Sequence, residues 1–212
     1  MFPKYTRWER LTDRGVHVLG VSASVIAAVV LLGLVISKPD GPSIVAATVY
    51  GVGLVTTFGL SAAYNLAVHP GRKETLRRYD HAAIFVMIAG TYTPFAMVSI
   101  GGTLGHGLLT VVWLVAIAGF AFKLLRPRRF ERTSVFVYLA LGWIGLPAVG
   151  SLIAALPALP LVLLGIGGVL YTVGVVFHLW VSLPHHNAVW HAFVLAGTGC
   201  HYVAVLQAIA GP

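Results

Sequence analysis

Polar and ionisable side chains lie near the ends of three apolar stretches of this sequence. Ser61 and Asn65 are four residues apart at the end of one stretch, and Asp80 begins the next. Asn187 and His191 are four residues apart at the start of the last stretch. Residues four apart share one face of a helix, about 6 Å apart along its axis. A carboxylate, a hydroxyl and an imidazole held together can transfer protons or bind a metal ion. The pattern therefore indicates a chemically active site shared by three helices.

The rest of the chain has the composition of a membrane protein. Hydrophobic residues make up 58% of the 212 residues, charged residues 9%, and the mean hydropathy is +0.89. A soluble domain averages roughly 25% charged residues, and a spanning helix needs about 20 mostly apolar residues. The sequence predicts an all-α, polytopic membrane protein built as a bundle of seven transmembrane helices, with an N-terminal segment over 1–14 and a transmembrane domain over 15–212. The predicted spans are Gly15–Ser37, Ser43–Val68, Asp80–Ile100, Leu104–Leu125, Ser134–Leu156, Leu159–Val181 and Asn187–Ala210.

The basic residues predict the orientation of the bundle. Of the 14 lysines and arginines, all but Lys38 precede the first span or fall in or beside the second and fourth loops. Such a bias places those segments in the cytoplasm. We therefore predict a cytoplasmic N-terminus and an external C-terminus, in a plasma membrane of the bacterial type. The basic segments would attract anionic lipid headgroups. They lack an aromatic reading surface beside them, so no nucleic-acid partner is predicted.

Several of these polar residues also have a purely structural interpretation. Asp80 could cap the start of the third helix by accepting backbone N–H groups. Three histidines within the spans are interpreted as packing or interhelical hydrogen-bonding residues, and two others as interfacial. The first three are His17, His178 and His201, and the other two are His69 and His106.

Proline and glycine predict where the helices bend and pack. Pro94 should bend the third helix and Pro147 the fifth. The Leu156–Pro160 stretch, LPALP, is either a turn between two spans or a kink within one. The glycine-rich stretches at 165–168 and 196–199 are typical of faces on which helices approach closely.

Three segments make the chain resemble the hemolysin III family, within the progestin and adipoQ receptor group of seven-helix membrane proteins. The matching segments are SAAYN at 61–65, RRYDHAAIFVMIAGTYTPF at 77–95 and HNAVWHAFVLAGTGCHY at 186–202. They occur in the family's order on the second, third and seventh helices. The resemblance implies a seven-helix bundle with a zinc site at its cytoplasmic end.

The resemblance also implies roles for individual residues, and this chain departs from two of them. Ser61 and Asp80 match the family's serine and aspartate, and His191 matches one of three ligand histidines. Asn65 and Asn187 stand where the other two histidines belong. An amide oxygen is a weaker donor for zinc than an imidazole nitrogen. The sequence therefore predicts a site that binds little metal. Either the two asparagines are natural to one branch of the family, or the chain has been altered at both positions. Three nearby histidines are candidates to replace the two missing ligands: His81, His185 and His186.

Two functions follow from the resemblance and a third from the family's name. The first is zinc-dependent hydrolysis of a lipid amide such as a ceramide, with catalytic Asp80 and Ser61. The second is a non-enzymatic sensor or regulator of membrane lipid state. The third is a pore-forming cytolysin, which is disfavoured because a pore needs a continuous polar path. Membrane lipids are the predicted partners in each case.

Overall fold

The computed structural model describes residues 5–37, 40–126 and 128–210 of the chain. Within these ranges the chain forms helices joined by short connections. One of the seven predicted spans is divided into two α-helices, so the α-helices number eight in the described ranges. They are α1 (Arg7–Ser37), α2 (Gly41–Leu66), α3 (Pro70–Pro94), α4 (Gly102–Leu125), α5 (Glu131–Trp143), α6 (Val149–Ala155), α7 (Ala158–Leu179) and α8 (His186–Ala210).

The predicted seven-helix membrane protein is confirmed. Seven helical stretches in the described residues are long and apolar enough to cross a membrane, with α3 continuing to Ile100 and α5 and α6 forming one span. The outer faces of these helices expose apolar side chains such as Ile26, Leu114 and Val162, as a lipid-facing surface requires. Lys4 and Lys38, which entered the orientation prediction, lie outside the described residues.

The third helix begins well before its predicted start at Asp80. Pro70 occupies the first turn of α3, with His69 at the N-cap position. Proline suits this turn because the backbone N–H that it lacks would have no helical partner there. Asp80 consequently lies in the third turn, so the interpretation of this residue as a helix cap is wrong. The basic segment that was predicted as a loop instead forms the first turns of α3.

Ion pairs stabilise this early start of α3. Glu74 accepts hydrogen bonds from Arg128 Nη2 at 2.7 Å and from Arg77 Nη2 at 3.1 Å. Arg77 Nη1 also donates to Glu131 at the start of α5. Charged residues three or four apart support a helix only weakly, but here the network connects the starts of α3 and α5. The loop prediction missed it because the pairs join segments distant in sequence.

The chain departs from a regular α-helix at both prolines that were predicted to bend one. After Pro94 the helix widens into a π-helical segment, Phe95–Ile100, since proline lacks the N–H that would continue the α-helical pattern. Around Pro147 the chain forms a 3₁₀ turn, Leu146–Ala148, between α5 and α6. The LPALP stretch separates α6 from α7, so it is a turn between spans and not a kink.

Small residues allow α7 and α8 to pack closely, as predicted. A Cβ atom added to Gly167 would lie 3.0 Å from the Gly197 carbonyl oxygen and would overlap the His201 ring. His201 is also within hydrogen-bond distance of the Leu164 carbonyl, at 3.2 Å from Nε2. Its predicted structural role is thus confirmed.

We expect Gly167→Ala to destabilise the bundle by about 1–3 kcal/mol, because overpacking forces neighbouring groups to move. Thermal or denaturant unfolding in detergent would measure the loss. Gly165→Ala is the matched control, since a Cβ atom there meets nothing within 4 Å. Equal stability of the two variants would contradict the close packing described here.

Candidate functional site

A hydroxyl group joins two imidazole rings where α1, α2 and α8 meet. Ser61 Oγ of α2 lies 3.1 Å from His191 Nε2 of α8 and 3.4 Å from His17 Nε2 of α1. The planes of the two rings are inclined at 54° to each other, and their centroids are 4.3 Å apart. Ser61 and His17 are buried. Three helices that are separate in sequence therefore place a hydroxyl group and two imidazole rings next to one another.

Backbone carbonyls orient both rings. His17 Nδ1 lies 2.7 Å from the Asp13 carbonyl oxygen, and His191 Nδ1 lies 2.8 Å from that of Asn187. A carbonyl oxygen can only accept a hydrogen bond, so Nδ1 carries the proton in each ring. Each contact spans four residues of one helix, and the geometry follows from the helical repeat. The Nε2 atoms of both rings are thereby directed at Ser61.

The two asparagines at the implied ligand positions bond to each other and to neighbouring groups. Asn187 Nδ2 donates to Asn65 Oδ1 at 3.0 Å and to Asp13 Oδ1 at 2.7 Å. Asn65 Nδ2 donates to the Ser61 carbonyl oxygen at 2.9 Å. We call these six residues the polar site: Asp13, His17, Ser61, Asn65, Asn187 and His191.

The family ligand positions by themselves do not fit zinc in this chain. They supply one imidazole, from His191, and two amides whose groups are already engaged in hydrogen bonds. Neutral amide oxygens are poor partners for zinc, which prefers imidazole, thiolate or carboxylate. Another donor set lies in the same place, since Asp13, His17 and His191 each present one ligand atom within 4.8 Å of the other two.

Asp80 lies beside the polar site on α3. Its side chain is buried, with 8% of its surface exposed, and it is close enough to Ser61 and Arg77 to interact with both. A buried carboxylate is rarely tolerated without such partners. The predicted meeting of α2, α3 and α8 therefore includes this acid.

The structure brings the predicted residues together and adds two from α1. Ser61, Asn65, Asn187 and His191 belong to one hydrogen-bonded network, as the sequence predicts. Asp13 and His17 were missed: one was assigned to the N-terminal segment and the other to structural packing. The signal that could have identified them is their spacing of four residues, the same as in the other two pairs.

The three suggested replacement histidines make their contacts elsewhere. His185 Nδ1 lies 2.9 Å from Thr12 Oγ1. The His186 ring lies beside Tyr5, with centroids 6.1 Å apart, and the His81 ring meets Tyr64 edge-on at 6.2 Å. Each of these contacts is with a residue outside the polar site.

The fold and this site define a class of protein: a seven-helix integral membrane protein with a buried polar site near one end of its bundle. The family described as Haemolysin-III related matches residues 14–202, and the chain belongs to this family.

Curated relatives from bacteria and animals support the same assignment. The chain is 39% identical to a hemolysin-3 homolog of Bacillus subtilis (strain 168) over 202 residues, which is 95% of each chain. It is 36% identical to hemolysin-3 of Bacillus cereus, over 93% of this chain and 90% of that protein. The human monocyte to macrophage differentiation factor is 28% identical over 76% of this chain and 69% of its own length. The last similarity connects the chain with the progestin and adipoQ receptor group.

Proposed function

We propose that the polar site, together with Asp80, hydrolyses an amide bond of a membrane lipid at the cytoplasmic end of the bundle. The observation that supports this most directly is the Ser61 hydroxyl within hydrogen-bond distance of His191 Nε2, beside a buried carboxylate. The basic residues near this end of the helices support the cytoplasmic side, and the Bacillus relatives support a bacterial plasma membrane.

Ser61 and Asp80 have complementary roles in this reaction. The Ser61 hydroxyl donates a hydrogen bond to the carbonyl oxygen of the lipid amide. The Asp80 carboxylate orients a water molecule and takes a proton from it as the water oxygen forms a bond to the carbonyl carbon. The C–N bond then breaks, and Asp80 returns that proton to the amine. The products are a fatty acid and an amine, and no other reactant is consumed. A divalent metal ion bound here would supply the activation of the water, whose pKa it lowers to about 7.

A lipid is the substrate class that the surroundings of the site support. The helices around it expose apolar side chains, among them Val18 and Leu19 on α1. A molecule entering between such helices comes from the bilayer. The resemblance to the hemolysin III family narrows the class to lipid amides such as a ceramide.

We expect Asp80→Asn to lower lipid amide hydrolysis at least about 100-fold, the usual contribution of a general base. Release of fatty acid from a fluorescent ceramide in proteoliposomes would measure this. Asp40→Asn is the matched control, because Asp40 caps α2 by accepting from Ser43 N at 3.0 Å and asparagine caps equally well. Full activity of Asp80→Asn, with a normal unfolding temperature, would contradict the role of this acid.

The asparagine pair favours a second candidate, a non-enzymatic sensor of membrane lipids. Asn65 and Asn187 bond to each other where the family has ligands, and a site of this kind can bind a headgroup without cleaving it. Ceramide that binds stoichiometrically to the protein and is recovered intact would favour the sensor over the hydrolase.

A further inference from the structure

We infer that Asp13, His17 and His191 bind one divalent metal ion of the zinc class, and that this set replaces the family's ligands. The inference rests on the polar site of the proposed function, but the binding of a metal can be measured without turnover. It assigns α1 a direct chemical role and leaves Asn65 and Asn187 outside the metal's ligands.

The first support is the spacing of the donors. One ligand atom from each of the three residues lies within 4.8 Å of the other two. In a tetrahedral zinc site with ligands at about 2.0–2.2 Å, two ligand atoms lie about 3.3–3.6 Å apart. Side-chain movements of about 1–1.5 Å would therefore bring the three atoms around one ion. Two imidazoles and one carboxylate form a common zinc donor set that leaves a position for water.

The second support is the orientation of the two rings. In protein metal sites a ligand histidine donates its other ring N–H to a carboxylate or a backbone carbonyl, which fixes the tautomer. His17 and His191 both have this arrangement, with Nδ1 2.7 Å and 2.8 Å from carbonyl oxygens. Their Nε2 lone pairs both face Ser61 Oγ, at 3.4 and 3.1 Å. The Asp13 carboxylate lies 3.6 Å from His17 Nδ1, so it must turn toward the Nε2 atoms to complete the ligand set.

The third support is a shortage of protons at Ser61. A ring whose only N–H is at Nδ1 presents Nε2 as an acceptor. Ser61 has one hydroxyl proton, yet its oxygen lies within 3.4 Å of both Nε2 atoms. One lone pair therefore gains no proton from Ser61. A cation bound by both rings satisfies both lone pairs, and it leaves the Ser61 hydroxyl to donate to a substrate.

The fourth support is the position of Asn187. Asn187 stands at a lost ligand position, and its amide now donates to Asp13 Oδ1 at 2.7 Å. Mutation of a residue that orients a metal ligand typically lowers metal affinity 10- to 100-fold. Asn187 thus orients the Asp13 carboxylate, which replaces the missing imidazole as a ligand.

Zinc titration of the purified, chelator-stripped full chain tests this inference. We expect one zinc ion per chain, and we expect His17→Gln and Asp13→Asn each to weaken zinc binding at least about 100-fold, since removing a ligand should cost no less than removing its orienting partner. His201→Gln is the matched control, because His201 is a span histidine that contacts the Leu164 carbonyl away from the polar site. Thermal unfolding of every variant identifies any that fail to fold.

The outcomes separate the metal site from the reaction. No zinc in the unaltered chain, or zinc affinity unchanged in folded His17→Gln and Asp13→Asn, would overturn the inference. Zinc binding that depends on both residues supports it even if no ceramide is cleaved, and in that case the proposed hydrolysis alone fails. Cleavage by zinc-free protein would show that the hydrolysis does not need the metal, and the zinc titration would still decide whether the site binds it.

Discussion

Replacing Asn65 and Asn187 together by histidine is expected to raise zinc affinity at least about 100-fold. Residues that only orient a metal ligand already change metal affinity 10- to 100-fold, and two added ligands should have no smaller effect. The change adds two imidazole donors on α2 and α8 at positions that already touch, since the two amides are 3.0 Å apart. Together with His191 they form the ligand set that the family resemblance implies. Competition with a chelator of known affinity would measure the gain.

The same double variant distinguishes the two ligand sets. With both histidines present, His17→Gln should have little effect on zinc binding, whereas in the unaltered chain the same substitution removes a ligand. Asn65→Gln with Asn187→Gln is the matched control, because it alters both side chains without adding an imidazole. A double histidine variant that binds zinc no more tightly than this control would contradict the placement of the site.

His191→Gln is expected to abolish zinc binding and to lower any hydrolysis at least about 1000-fold, within the range seen when a main catalytic group is lost. His191 belongs to both ligand sets, and its Nε2 lies 3.1 Å from Ser61 Oγ. The loss should therefore occur in the unaltered chain and in the double histidine variant alike. Zinc content and release of fatty acid would be measured on the same preparations.

The control for this substitution is again His201→Gln, in the same helix. It should keep its zinc and its activity, although the change in packing against Gly167 will lower its unfolding temperature. Zinc retained by folded His191→Gln would remove this residue from the site and with it both ligand sets.

Most of the fold could be predicted because membrane spans have a strong compositional signal. The count of seven and the irregularities at Pro94 and Pro147 follow from apolar length and from proline's missing N–H. The start of α3 could not be predicted in the same way. Its first turns are basic and polar, and ion pairs with Glu131 and Arg128 stabilise them from another part of the chain.

The site was predicted only in part. The four-residue spacings on α2 and α8 identified Ser61 and His191, and the structure places them in contact. Asp13 was missed because the charged residues around it suggested a segment outside the membrane, yet α1 begins at Arg7 and buries its carboxylate. Which face of α1 turns toward α2 and α8 depends on packing, which a single sequence does not report.

X-ray absorption at the zinc edge of the zinc-loaded, unaltered chain would test the central claim most directly, since the signal reports the number of bound imidazoles. We predict two imidazoles and oxygen ligands around the zinc ion. In the His17→Gln variant, any zinc that is still bound should have a single imidazole ligand. A spectrum of the unaltered chain with a single imidazole, or one that His17→Gln leaves unchanged, would contradict a site shared by α1 and α8.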